Sequence, residues 1–142
     1  MLKAVKTGHF REIDLSEAEP GDHFILVEHT RTMYFPAPIN ILHCVILRVG
    51  KRDVVYQEVG GRSGEQRANK SRNLGEAYLE SDPDLEAVRE RKCAIDLSIA
   101  ARNAAFVIDK TVRNYVGGNG LLPTELAQEI VALAKKVEPF GK

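Results

Sequence analysis

The stretch from His43 to Val59 constrains this chain more than any other. Two apolar, valine- and isoleucine-rich runs flank a short Gly50-Lys51-Arg52-Asp53 link. β-Branched and aromatic side chains fit a pleated, half-buried surface. The pattern therefore predicts an antiparallel hairpin, with Gly50 able to take the positive φ of a tight connection. Upstream, Pro20-Gly21-Asp22 carries turn chemistry and leads into His23-Phe24-Ile25-Leu26-Val27-Glu28-His29. That strand is almost continuously apolar, as expected where both faces are covered. Between the two, Pro36 and Pro38 exclude a central strand or helix interior, so residues 30–40 read as a loop exposing Arg31, Tyr34 and Phe35.

Gly60-Gly61-Arg62-Ser63-Gly64 forms the next turn, and residues 65–72 read as a short polar closing strand. Before Pro20, residues 1–8 suit a strand or a loose arm, and the acidic residues 10–19 suit a short edge strand or a single turn. The order of these segments predicts a small antiparallel barrel or meander. It resembles SH3-like small barrels of the KOW and Tudor kind, in which a Gly-Asp turn opens the first strand and a Val-x-x-Val-Gly-Lys-like hairpin follows. The matching residues are Gly21-Asp22 and Ile46-Leu47-Arg48-Val49-Gly50-Lys51-Arg52-Asp53-Val54, within residues 20–74. The likeness is one of fold. For the aromatic cage of that family, Tyr34, Phe35 and Tyr56 are the residues on offer.

Ser81-Asp82-Pro83-Asp84 marks a change of regime. Asp82 or Ser81 suits an N-cap, Pro83 a first helical turn, and Asp84 and Glu86 the positive end of a helix dipole. From Leu85 to Val116 neither proline nor glycine interrupts the chain. Leu85, Val88, Ile95, Ile99 and Phe106 make one apolar stripe; Leu97, Ala101, Ala104, Ile108, Val112 and Tyr115 make a second, which predicts a helix covered on two sides. Gly117-Gly118-Asn119-Gly120 ends it, and Pro123 opens a last helix with its own stripe of Leu126, Ile130, Leu133, Ala134 and Val137. The expected class is α+β: a small β domain over residues 1–76 and a C-terminal helical hairpin over 77–142, as one structural unit.

At 142 residues, with 20 basic and 20 acidic side chains, the chain has no bulk charge with which to coat a polyanion. Charge is concentrated locally instead. Arg48, Lys51, Arg52, Arg62, Arg67, Lys70 and Arg72 stand against Asp53, Glu58 and Glu65, an excess of four within residues 48–72. Such a cluster on a sheet edge can track phosphates, with Tyr34, Phe35 or Tyr56 stacking on bases; the alternative, which the zero net charge favours, is a solvated edge that discourages aggregation.

The other chemistry is sparse. His9, His23, His29 and His43 lack metal-ligand spacing, and His23 and His29 would lie about 20 Å apart along an extended strand. Cys44 and Cys93 are expected as reduced thiols, Cys44 in the core. The glycines do not form a phosphate loop, and the carboxylates at 80, 82, 84 and 86 suit a helix start. No signal peptide or membrane span is evident, so a cytoplasmic protein is expected. The sequence predicts a non-catalytic binding or adaptor module with no cofactor and no metal. Its partner is a nucleic acid on the basic edge, or a protein or second copy on Leu97, Ala101, Ala104, Ile108 and Val112. A small enzyme using His23, His29 and Asp22 is the third class.

Overall fold

Hydrogen-bonded ladders build two antiparallel sheets from the first eighty residues. The computed structural model describes residues 1–7, 10–72 and 74–141, so His9 lies outside the described residues. The strands are β1 (Lys3–Thr7), β2 (Phe10–Asp14), β3 (His23–His29), β4 (Ile39–Val49), β5 (Asp53–Glu58), β6 (Gln66–Asn69) and β7 (Ala77–Leu79). Two helices follow, α1 (Leu85–Gly117) and α2 (Thr124–Val137), and a 3-10 turn, Glu138–Gly141. The chain divides into two compact units, Met1–Ile99 and Ala100–Lys142.

In the first unit β1 and β2 pair as a ribbon, and the larger sheet runs in the order β6-β5-β4-β3-β7. Four strands follow one another as a meander, and the fifth returns to lie beside the first. The expected barrel closure is not found: among the described residues no ladder joins β6 to β7. β2 of the ribbon packs close to β7 but forms no ladder with it among the described residues. β7 itself was not foreseen, since three residues are too few to show a period.

The hairpin forms as expected, with β4 and β5 in register from Cys44↔Glu58 to Val49↔Val54 and an irregularity between Ile46 and Arg48. Gly50, however, does not use a positive φ; Gly21, Gly60 and Gly75 do. The connection closes through the Gly50 N–H, which donates to the Asp53 carbonyl at 2.7 Å.

Strand parity explains the two cores. Phe24, Cys44, Ile46, Val54 and Ala77 point to one face, where Leu2, Ile13, Leu15 and Ala18 cover them. Ile25, Val27, Ile39 and Tyr78 point to the other, where Leu85 and Val88 of α1 cover them. β3 is thus buried on both faces, as its apolar run implies. Asp82 caps α1, its carboxylate accepting from the Asp84 N–H at 2.9 Å, and also receives Arg11 of β2 at 2.8 Å.

In the second unit α1 ends in a Schellman motif. The Gly120 N–H donates to Tyr115 O and the Asn119 N–H to Val116 O, with Asn119 rather than a glycine in the left-handed region at φ 67°. None of the described residues from 100 to 141 is buried. No helix among the described residues is long and apolar enough to cross a membrane.

Candidate nucleic-acid interface

The basic residues gather because the meander brings a turn and an edge strand together. The ladder sets Arg48 of β4 opposite Val55 of β5, and Val55 opposite Arg67 of β6, so two arginines flank one valine on the same face. Beyond β6 the Lys70 N–H donates to the Arg52 carbonyl at 2.8 Å, which fixes Lys70 beside the turn. Two shallow concavities result. One, of about 350 Å³, is lined by Arg48, Lys51, Arg52 and Arg67. The other, of about 490 Å³, is lined by Arg67, Asn69, Arg72 and Leu74, and both include Asp53.

These cations are not equivalent. Arg48 forms a two-pronged bond with Glu65, at 3.1 and 2.7 Å. That bond holds the Glu65 carboxyl below its usual range and raises Arg48, so this charge is largely matched within the protein. Arg62 sits in the β5–β6 connection, at the far end of β5 from the Gly50 turn. Lys51, Arg52, Arg67, Lys70 and Arg72 form the cluster proper.

The aromatic residues do not join it. Tyr34 and Phe35 are exposed in the loop between β3 and β4, at the opposite end of an 11-residue strand. That strand separates them from the basic turn by about 33 Å. Tyr56 faces the ribbon-covered core, edge-on to Phe24 at 5.4 Å. It borders a pocket of about 260 Å³ whose other lining includes Glu28 and Glu58, a poor setting for a phosphate strand. The basic end therefore offers charge without a stacking platform.

Two further constellations escaped the sequence reading because sheet register, not spacing, assembles them. Buried Glu76 accepts from Tyr78 Oη at 2.8 Å, from His29 Nε2 at 2.7 Å and from Arg91 of α1. Burial alone would raise the Glu76 carboxyl, but the bonds from Arg91, Tyr78 and His29 outweigh it and hold the group below its usual range. Burial and the bond to Glu76 push Tyr78 up to about 12. This network fastens α1 to the sheet, and it accounts for His29. Asp22, named with the histidines as an enzyme candidate, accepts the Glu19 N–H at 2.9 Å and so closes the turn before β3.

The second constellation comprises the residues able to hold a metal: His23, His43 and Glu80, whose ligand atoms lie within 4.8 Å of one another. Cys44 is not among them. It is buried on the opposite face from His43, and burial, with Glu58 nearby, pushes its thiol up to about 11. In the second unit, Ala101, Ala104, Ile108 and Val112 of α1 and Leu133 and Val137 of α2 border one apolar groove of about 550 Å³. Leu97, which belongs to the first unit, is not part of it and is 73% exposed.

Comparison with protein-family models, with curated proteins and with solved structures finds no match for this chain.

Proposed function

We propose that the basic end of the five-stranded sheet binds the phosphate backbone of a nucleic acid, as a non-catalytic module that does not read bases. What supports this reading is a contrast in pairing. In the first unit Lys3, Arg11, Arg48, Arg89, Arg91 and Lys92 each have a carboxylate partner. Among the described residues, Lys51, Arg52, Arg67, Lys70 and Arg72 have no ion pair, although they share one end of the sheet. Lys6, Arg31 and Arg62 have no ion pair among the described residues either, but they are dispersed over β1, the β3–β4 loop and the β5–β6 connection. Like charges held together repel, and an anion that spans them relieves the repulsion. A phosphate backbone offers such charges in series.

The test is titration of a labelled mixed-sequence duplex at several salt concentrations. Five phosphate contacts predict a slope of about −4.5 in log affinity against log salt, which is a loss of about 500-fold between 50 and 200 mM. Arg67→Glu, Lys70→Glu and Arg72→Glu together should remove binding, whereas Arg62→Glu should weaken it far less. Salt-insensitive binding, or binding retained in the triple variant, would contradict the reading.

A second reading, self-association through a helical hairpin of α1 and α2, is favoured by the lack of any buried residue among the described residues from 100 to 141 and by the apolar groove above. A helical region with no buried residue gains little from its own packing. It predicts a mass that rises with concentration and returns to that of the monomer in Ala104→Glu.

A further inference from the structure

We propose that His23, His43 and Glu80 form a surface site for a divalent transition-metal ion of the zinc class, with at least one coordination position left to water or an incoming ligand. The three residues lie 20 and 37 positions apart in sequence, yet the sheet sets them on one face. His23 pairs with Val45 and Ile25 with His43, so the two imidazoles are diagonal neighbours on β3 and β4. On the other side of β3, Phe24 pairs with Leu79 of β7, and continuing that register brings Glu80 opposite His23. Glu80 then lies in a turn closed by the Asp82 N–H on the Leu79 carbonyl, at 3.1 Å. Asp82 is itself fixed by its cap and by Arg11. The two histidines therefore stand on strands laddered to each other, and Glu80 stands in a hydrogen-bonded turn.

The donor geometry fits an ion. His23 Nδ1 and His43 Nε2 are 3.1 Å apart, His43 Nε2 and Glu80 Oε1 2.5 Å, and His23 Nδ1 and Glu80 Oε1 3.9 Å. Bonds of about 2.0–2.1 Å at tetrahedral angles place ligand atoms about 3.3 Å from one another, within the span of these three separations. Small rotations of side chains that are each close to half exposed would equalise them. Two ring nitrogens and one carboxylate oxygen favour zinc, nickel, copper or cobalt over calcium and magnesium, which take oxygen donors. The same exposure gives an ion direct access. Three protein donors leave a tetrahedral ion one position for solvent, the arrangement that in zinc sites activates a bound water.

The experiment is isothermal titration of the 142-residue chain with Zn²⁺, repeated with Mg²⁺ and Ca²⁺, and a Co²⁺ titration followed by visible absorption. One equivalent of Zn²⁺ per chain is expected, with no binding of Mg²⁺ or Ca²⁺ at the same concentrations. Losing even an outer partner of a metal ligand costs about 10- to 100-fold in affinity. His23→Ala, His43→Ala and Glu80→Gln should therefore each weaken Zn²⁺ by about 10-fold or more, and Cys93→Ser should leave it unchanged. Cobalt should give d–d bands without thiolate charge transfer. Glu80→Gln alters one exposed carboxylate and keeps its shape, so it serves if a histidine variant fails to fold. Absence of an equivalent, binding unaffected by Glu80→Gln, a cobalt spectrum with thiolate bands, or equal binding of Ca²⁺ would each overturn the site and leave a proton-held trio only.

Discussion

At the scale of single residues, burial decides which ionisable groups matter for stability. Glu76 is buried and holds three donors from β3, β7 and α1, whereas most other carboxylates are exposed. Its folded-state carboxyl titrates below its unfolded value. The unfolded chain therefore binds the proton first as pH falls, and the stability contributed by Glu76 is present above the unfolded carboxylate range and is lost through the folded pKa. Glu76→Gln should cost about 2–3 kcal/mol at neutral pH, since it leaves the half-buried Arg91 without its counter-charge. It should also flatten the fall in stability below about pH 5 in urea titrations. The two thiols separate by the same logic. Cys44 is buried with its thiol at about 11, and Cys93 is exposed on α1. At pH 8 an aromatic disulfide reagent should titrate one thiol in the native protein and two in denaturant; two reactive native thiols would show that the sheet core opens readily.

At the scale of elements, hydrophobic patterning reports strands and helices well and their pairing poorly. The His23–His29 run and the hairpin around Gly50 were legible because several consecutive apolar residues must be covered on both faces or on one. β7 was not, because Ala77-Tyr78-Leu79 shows no alternation and gains its identity from the free edge of β3. Without β7, neither Glu76 nor Glu80 could be placed, and both constellations beyond the basic edge stayed hidden. The basic cluster was legible because the chain runs through it locally, from β4 to β6. Its supposed aromatic partners were not, because only register shows that Tyr34 and Phe35 lie a full strand away and that Tyr56 faces the core. The start of α1 was legible from cap chemistry, and Asp82 has a second duty that no local pattern shows, the ion pair with Arg11. Asp82→Ala should therefore destabilise more than Asp82→Asn, by about 1 kcal/mol in chemical denaturation, because asparagine keeps the cap and loses only the charge. Equal losses would mean that the cap contributes nothing.

At the scale of the whole molecule, the two units differ in what holds them together. Among the described residues, every buried apolar one, from Leu2 to Val88, belongs to the first unit, together with the basic end and the His23–His43–Glu80 cluster. The second unit contributes exposed apolar faces, among them Val107, Val131, Leu133 and Val137. Burial of apolar surface is the main favourable term in folding, so the first unit carries the means of its own stability and the second does not. A chain ending at Ile99 should keep a cooperative thermal transition, because it retains both cores and the Glu76 network that docks the start of α1. It should also keep its salt-dependent affinity for duplex, since no residue of the basic cluster is lost. What it should lose is any concentration dependence of its mass in sedimentation, because the Ala101–Val112 face is gone. If the shortened chain fails to fold, residues 100–142 support the sheet in a way that burial does not account for. If it folds yet loses nucleic-acid affinity, the five-cation cluster is insufficient and the helical region takes part in binding. If it folds, binds and still associates, the interface belongs to the sheet, and its open β6 edge becomes the first place to substitute.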